Sequence, residues 1–291
     1  MTEAADATKP AVLIVIFNRP DLTARVMEAI RTARPSRLYV AADGPRDLIG
    51  EAEQCEAARR IATAVDWPCQ VDTLFRTQHL GCRAAVSGAI TWFFDQESEG
   101  IILEDDCVPS PSFFPYCAEL LDRYRDDERI VSINGSNFQK GMTDGTSSYY
   151  FSRYCDCWGW ATWERAWRNY DSDMKSFPEF ERSKVMEKIS PSNTFSEYWQ
   201  SRFRSVYERR VDSWFFVWMF SCWSRSGLTC TPRVNLITNI GFGEKATHTF
   251  DNTLWFAQLP YEELDLPLKH PSVMARNLEA DERTDRLRFE I

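Results

Sequence analysis

Three carboxylates stand side by side at Glu104, Asp105 and Asp106, directly after the apolar run Ile101-Ile102-Leu103. Like charges this close repel, so such a turn calls for a compensating cation or for open solvent. A hard divalent ion is one natural partner. Mg2+ or Mn2+ takes one or two carboxylates and completes its shell with phosphate oxygens and water. A solvated acidic turn is the plain alternative. A second carboxylate, Asp212, precedes Ser213-Trp214-Phe215-Phe216. At the entrance to an apolar helix it reads as an N-cap, as a partly desolvated general base, or as both.

Other residues could serve such a site. Arg19 and Arg83 offer guanidinium groups that match phosphate or ribose oxygens. Asp43, in Asp43-Gly44-Pro45, is either ordinary turn chemistry or an acceptor for a nucleobase N–H. Trp158-Gly159-Trp160 begins a tryptophan-rich stretch that reads mostly as core, with one ring, assigned to Trp160, as an alternative platform for a sugar face. His248 lies in the Gly-rich segment GFGEKATHT, which reads as a loop able to close on a ligand. The chain has no G-x-S-x-G, no Walker loop and no G-x-G-x-x-G after its first apolar run. That argues against serine hydrolases, NTPases and nicotinamide enzymes.

These residues need a frame. Residues 11–17 (AVLIVIF) form a continuous β-branched run, read as a strand buried on both faces. Asn18-Arg19-Pro20-Asp21 breaks it, and a helix is expected over 22–30. Further strands are expected over 37–42, 70–75 and 100–103, with helices over 51–65 and 81–94. Strand and helix alternate within about a hundred residues, which predicts an α/β fold with a mostly parallel sheet and helices on both faces. Ligands of such sheets bind beyond the carboxyl ends of the strands. Asn18, Arg19, Asp43 and the acidic triplet all fall there.

The second half reads differently. Helices are expected over 112–124, 196–208 and 214–223, and strands over 129–133 and 233–240. Eight of the eleven tryptophans lie between Trp158 and Trp223, in a stretch otherwise read as irregular. One domain over 10–255 is expected, with a nucleotide-binding half (10–110), an acceptor half (111–255) and a charged C-terminal extension (256–291).

Composition narrows the class. The 291 residues carry 34 Lys and Arg against 43 Asp and Glu, a net charge of −9, and 44% are apolar. A globular protein with a large core fits; disorder does not. With a pI near 5.1, general binding to nucleic acid or to an anionic membrane is not expected. The longest apolar segment is far shorter than the roughly 20 residues a spanning helix needs. Residues 1–10 lack a basic region and an apolar stretch, so a cytoplasmic protein with free thiols is expected. Nine cysteines show no disulfide framework, and Cys155-x-Cys157 has no second pair at zinc spacing.

The chain resembles glycosyltransferases of the GT-A fold, most closely the inverting N-acetylglucosaminyltransferase I type and bacterial family-2-like transferases. The carriers are VIFNRPDL, AADGP, ILEDDCVPSPSFFPYC, WGWATW, VDSWFF and GFGEKATHT, in the family's order between Val12 and Asp251. The resemblance implies a Rossmann-like fold and a UDP-sugar donor, GlcNAc being the favoured sugar, with Mn2+ or Mg2+ as cofactor. It implies Asp106 as the metal ligand, with Glu104 and Asp105 near the ribose or the metal's water shell. Arg19 and Asp43 match nucleotide-binding positions, Asp43 reading uracil. Asp212 matches the catalytic base, with Glu164 as second candidate, and His248 the loop over the donor diphosphate. A carbohydrate or glycan precursor would be the acceptor. An NDP-sugar nucleotidyltransferase and a non-catalytic carbohydrate-binding protein on the same fold are the rival readings.

Overall fold

The computed structural model describes residues 9–141, 145–242, 254–257 and 259–291. Its first half follows the alternation read from the sequence. Strand β1 (Ala11–Ile16) leads to α1 (Pro20–Ala33), then β2 (Arg37–Ala42), α2 (Glu51–Thr63), β3 (Gln70–Phe75), α3 (Cys82–Phe94) and β4 (Glu99–Glu104). Pro20 opens α1, where its missing N–H costs no helical bond. The four strands are parallel and ordered β3-β2-β1-β4, with β1 at the centre of this half. Successive side chains of a strand face opposite ways. Val12, Ile14 and Ile16 therefore pack beneath α1 and α2, while Ala11 and Leu13 join a second core on the other face.

The sheet continues through a mixed half. A short β5 (Cys107–Pro109) precedes α4 (Phe113–Arg123), β6 (Ile130–Asn134), β7 (Tyr149–Ser152) and β8 (Trp160–Trp163). Five helices follow: α5 (Glu164–Trp167), α6 (Phe177–Arg182), α7 (Val185–Ile189), α8 (Asn193–Tyr207) and α9 (Trp214–Ser224). Strands β9 (Leu228–Pro232) and β10 (Ile237–Asn239) and helix α10 (Leu278–Thr284) complete the order. The eight-stranded sheet runs β3-β2-β1-β4-β8-β6-β9-β7, and β10 pairs with β5 in a separate ribbon. Four of its seven pairings are parallel. The architecture is thus the Rossmann-like α/β arrangement expected, with helices on both faces of the sheet.

Three elements depart from the sequence expectation. WATW is not irregular: β8 is an inner strand, antiparallel to both β4 and β6. Of the strand expected over 233–240 only Ile237–Asn239 forms, as β10. The side chain of Asn235 bonds the backbone of Asn137 and Ile237, which holds the chain out of a ladder there. Helix α8 starts earlier than expected, because Ser192 caps it by accepting from the Phe195 N–H at 3.2 Å.

The C-terminal segment is woven into the second half of the sheet. Leu264 and Leu268 are buried in the core. Asp281 accepts from Ser152 and Arg276, Asp285 from Arg153 and Tyr154, and Arg288 pairs with Asp156. All nine cysteines are free. No helix among the described residues is long and apolar enough to cross a membrane.

Candidate active site

The acidic turn closes β4 at the carboxyl end of the parallel strands, as the alternation required. Its three carboxylates have different surroundings. Asp105 is 1% exposed. It takes the Phe17 N–H at 3.2 Å and an ion pair from Arg19, while its own N–H donates to the Val15 carbonyl. It anchors the turn to the end of β1. Asp106 receives the other arm of Arg19 at 3.0 Å and the Cys107 thiol at 3.4 Å. Glu104 has no hydrogen-bond donor among the described residues.

The electrostatics follow from this placement. Burial, then Asp106, then Asp105 push the Glu104 carboxyl up to about 8, offset in part by Arg19. Burial lifts Asp105 to about 6 despite Arg19. For Arg19 the order reverses. Burial opposes its charge, but Asp105 and Asp106 outweigh it and hold the guanidinium firmly protonated. One arginine thus serves three acids, pairing with Asp105 and Asp106, and the crowding is relieved at Glu104, which keeps its proton.

Further carboxylates reach the same place from other elements. The Cys82 thiol, at the start of α3, is pushed up to about 12 by burial and then by Glu104, Asp212 and Asp43. One sulfur therefore feels acids from the end of β4, the start of α9 and the end of β2. Asp212 is exposed, and its Oδ2 lies 3.5 Å from the Arg83 N–H in the first turn of α3. A helix N-terminus favours a negative group there. Asp212 does not cap α9. Ser213 does, accepting from the Phe216 N–H at 3.4 Å, which leaves the Asp212 carboxylate outside the helix.

A glycine brings the remaining wall in. The Ile240 N–H donates to the Asp106 carbonyl at 2.8 Å, and a Cβ on Gly241 would collide with the Asp106 carboxylate. The chain after β10 therefore crosses against the acid turn, and only glycine permits that approach.

Several expected site residues are occupied elsewhere. Asp43 is 7% exposed. Its oxygens accept the N–H groups of Gly44, Leu80 and Gly81 at 2.9–3.1 Å, together with His79 Nδ1 at 2.9 Å. It organises the loop after β3 rather than standing open to a base. Asn18 donates to Glu51 at 2.8 Å and steadies the loop before α2. Arg83 is 5% exposed, and its guanidinium donates to the carbonyls of Val206 and Ser172. It ties α3 to the second half of the chain, and only its backbone faces Asp212.

Trp160 is a core residue. It is fully buried, stacked on Trp214 at 5.9 Å and against Trp218 at 5.6 Å. Trp158 is the ring that remains partly open, edge-on to Phe242 at 5.6 Å. Residues two apart in a strand would share a face. Gly159, at φ +58°, breaks the pleat and sends the two rings to opposite sides of the sheet. Glu164 lies beside Ser98 and Glu99, at the amino end of β4. Five residues at about 3.3 Å each separate it from Glu104, so it cannot serve the same centre. His248 lies outside the described residues.

No family model and no curated protein matches the chain. Solved structures do. A mannosyltransferase from Pyrobaculum calidifontis, in complex with GDP-Man and Mn2+, matches with TM-score 0.39 and 14% identity over 55% of this chain. HddC from Yersinia pseudotuberculosis matches with TM-score 0.32 and 11% identity, over 54% of this chain and 77% of its own. A UDP-glucose pyrophosphorylase complexed with UDP-glucose matches with TM-score 0.28 and 11% identity, over 50% and 62%. The chain covers 46% of the mannosyltransferase's own length.

The donor set fits one kind of ion. No group of three or more His, Cys, Asp and Glu side chains among the described residues makes a metal cage. Glu104 and Asp106 nevertheless present hard oxygens side by side, and Glu104 lacks a donor and would give up its proton to a bound cation. A Mg2+- or Mn2+-like ion that draws its other ligands from phosphate and water suits two carboxylates of this kind.

Proposed function

We propose that the protein is a metal-dependent, inverting glycosyltransferase that moves a sugar from a UDP-sugar to an acceptor hydroxyl. One observation carries the reading: at the carboxyl mouth of the sheet, beside the acidic turn that closes β4, Asp43 from β2 takes the Gly81 N–H at 3.1 Å and Asp212 lies 3.5 Å from the Arg83 N–H, so both meet at the start of α3. Asp106, with Glu104, would hold the divalent ion. When bound, that ion supplies positive charge against the diphosphate leaving group. Arg19 keeps Asp105 and Asp106 in register with β1. Asp212, exposed and outside its helix, takes the proton of the acceptor hydroxyl as that oxygen attacks the anomeric carbon. The bond to the diphosphate breaks on the opposite face, so a single displacement inverts the centre and no protein nucleophile is needed. The transferred sugar is GlcNAc by resemblance alone.

Ligands that bind only the folded state raise its stability. UDP-sugars should therefore raise the melting temperature when Mn2+ or Mg2+ is present and not when it is absent. Asp106→Ala should abolish the metal-dependent part. Equal stabilisation with and without metal would sink the reading. Pyrophosphate release from UTP and a sugar phosphate would favour the nucleotidyltransferase instead.

A further inference from the structure

Strand β7 is the outermost strand of the second half of the sheet, and the C-terminal chain runs beside it. That chain is pinned at two places. The Ser148 N–H donates to the Lys269 carbonyl at 2.7 Å, and the Asn277 N–H donates to the Phe151 carbonyl at 2.8 Å. Residues 270–276 thus span an interval that Tyr149 and Tyr150 alone occupy in β7, so they bow away from it. Just past the first pin His270 turns inward, to Tyr149 Oη and to Glu119, each at 3.0 Å. A cavity of about 200 Å³ is left between strand and strap.

Its walls differ in chemistry. Pro271, Val273 and Ala275 of the strap are apolar, while Ser147, Arg233 and Asn277 are polar. Asn277 Oδ1 caps α10 by accepting the Ala280 N–H at 3.0 Å, which leaves Nδ2 as a donor. Neither that amide nor the Ser147 hydroxyl has a partner among the described residues. Tyr149 adds backbone. It lies opposite Pro232, which has no N–H, and the Arg233 N–H goes to the Ser148 carbonyl, so the peptide groups of Tyr149 face the outer edge. Arg233 is the one charged side chain among the described lining residues, and no carboxylate joins it, in a chain of net charge −9. Donors around a guanidinium suit an oxyanion. The apolar wall suits the C–H face of a ring.

The cavity lies at the same end of the sheet as the acidic turn. Strands β4 and β6 are both antiparallel to β8, and β9 is parallel to β6, so β9 ends where β4 ends. Pro232, the last residue of β9, is the partner of Tyr149. The order β4-β8-β6-β9-β7 puts β7 roughly 19 Å from β4, at about 4.8 Å per strand. An oligosaccharide spans that distance and a single sugar does not. We propose that the cavity is a distal acceptor subsite for an acidic sugar, with its carboxylate on Arg233 and Asn277 and its ring against Pro271 and Val273. The acceptor role rests on the glycosyltransferase reading above. Sites that enclose a whole drug-sized ligand measure about 300–1,000 Å³, so one ring enters this cavity and the rest of the chain lies outside it, toward the acidic turn.

The probes are galacturonate, galactose, inorganic phosphate and oligogalacturonates of increasing length, titrated by NMR and calorimetry. In wild type the Asn277 side-chain amide signal should move with galacturonate and stay still with galactose. Phosphate has no ring to lay on the apolar wall and should bind about tenfold more weakly. Asn277→Asp keeps an oxygen for the cap but puts a negative charge where the amide was, and it should weaken galacturonate binding by about tenfold or more. With UDP and Mg2+ present, affinity should rise with oligomer length until the chain reaches the acidic turn. If Asn277→Asp fails to fold, the wild-type amide signal still decides. A still amide signal, equal binding of galactose, phosphate binding as tight as galacturonate, unchanged affinity in folded Asn277→Asp, or affinity flat with length each overturns the subsite. Donor binding is measured separately, by the metal-dependent melting shift with UDP. That shift without galacturonate binding removes the subsite and leaves the transferase reading intact. Galacturonate binding without that shift removes the transferase reading, and the acceptor role with it.

Discussion

The two halves of the sheet place their functional groups by different means. Between β1 and β4 the backbone does it. Parallel strands end together, so Arg19, Asp43 and the acidic triplet arrive at one mouth whatever their side chains touch. From β6 onward packing does it. Trp160, Trp167, Trp214 and Trp218 lock into one aromatic core with centroids 5.2–6.3 Å apart. Helix α9, and with it Asp212, sits where that core puts it. The C-terminal segment closes the same half through ion pairs rather than a ladder. A site assembled across the two halves therefore has one wall set by hydrogen-bond geometry and one set by the shapes of indole rings.

The comparison can be broken in order of expected effect. If Asp212 is the base delivered by the packed half, Asp212→Asn should lower turnover by about 10²–10⁴-fold. UDP-sugar affinity, which belongs to the parallel half, should stay near wild type. Transfer at the wild-type rate would remove Asp212 from that role. Trp218→Ala should cost about 3–5 kcal/mol in chemical denaturation, as large-to-small aromatic changes in a core do. A separate early transition would show that the packed half unfolds on its own; one shared transition would show that the halves stand or fall together.

A smaller effect separates the halves by pH. Glu104 holds its proton up to about 8 in the folded, metal-free protein, while an exposed glutamate releases it near 4.5. Between those values the folded state binds more protons than the unfolded one, so stability falls as pH rises through the window. Glu104→Gln should flatten that fall, and divalent ions should bind more tightly as pH rises. A melting temperature that climbs from pH 5 to 8 in the metal-free protein would contradict the placement of Glu104. The smallest effect is local. Ser213→Ala should cost about 1 kcal/mol by removing the cap of α9, and it should slow turnover if the cap also aims Asp212. Denaturation midpoints and turnover of the same variant would separate the two.

Much of the first half was legible because its signals are local. A β-branched run bounded by Asn18-Arg19-Pro20 can be little else than a strand turning into a helix, and the alternation then dictates which strand ends converge. The site itself was legible only in part. Residue type and position marked Asp106 and Asp212, but not what each carboxylate would be bonded to. Asp43 carried turn chemistry and a plausible ligand role in the same three residues, and only its contacts with Gly44, Leu80 and Gly81 separate them. Arg83 gave no sign that its guanidinium would cross to Val206 and Ser172, since those partners lie far away in the chain.

By itself the sequence determined the α/β alternation, the acid turn at a strand end and the aromatic wealth of the second half. Each of these depends on neighbours within a few residues. Tertiary structure decided which tryptophan stays open, which carboxylate is spent on loops and which end of β4 Glu164 occupies. Those outcomes hang on single events, such as the left-handed turn at Gly159 or the antiparallel entry of β8. Each such event is fixed by what the rest of the chain packs against it, and no short window of residues contains that information.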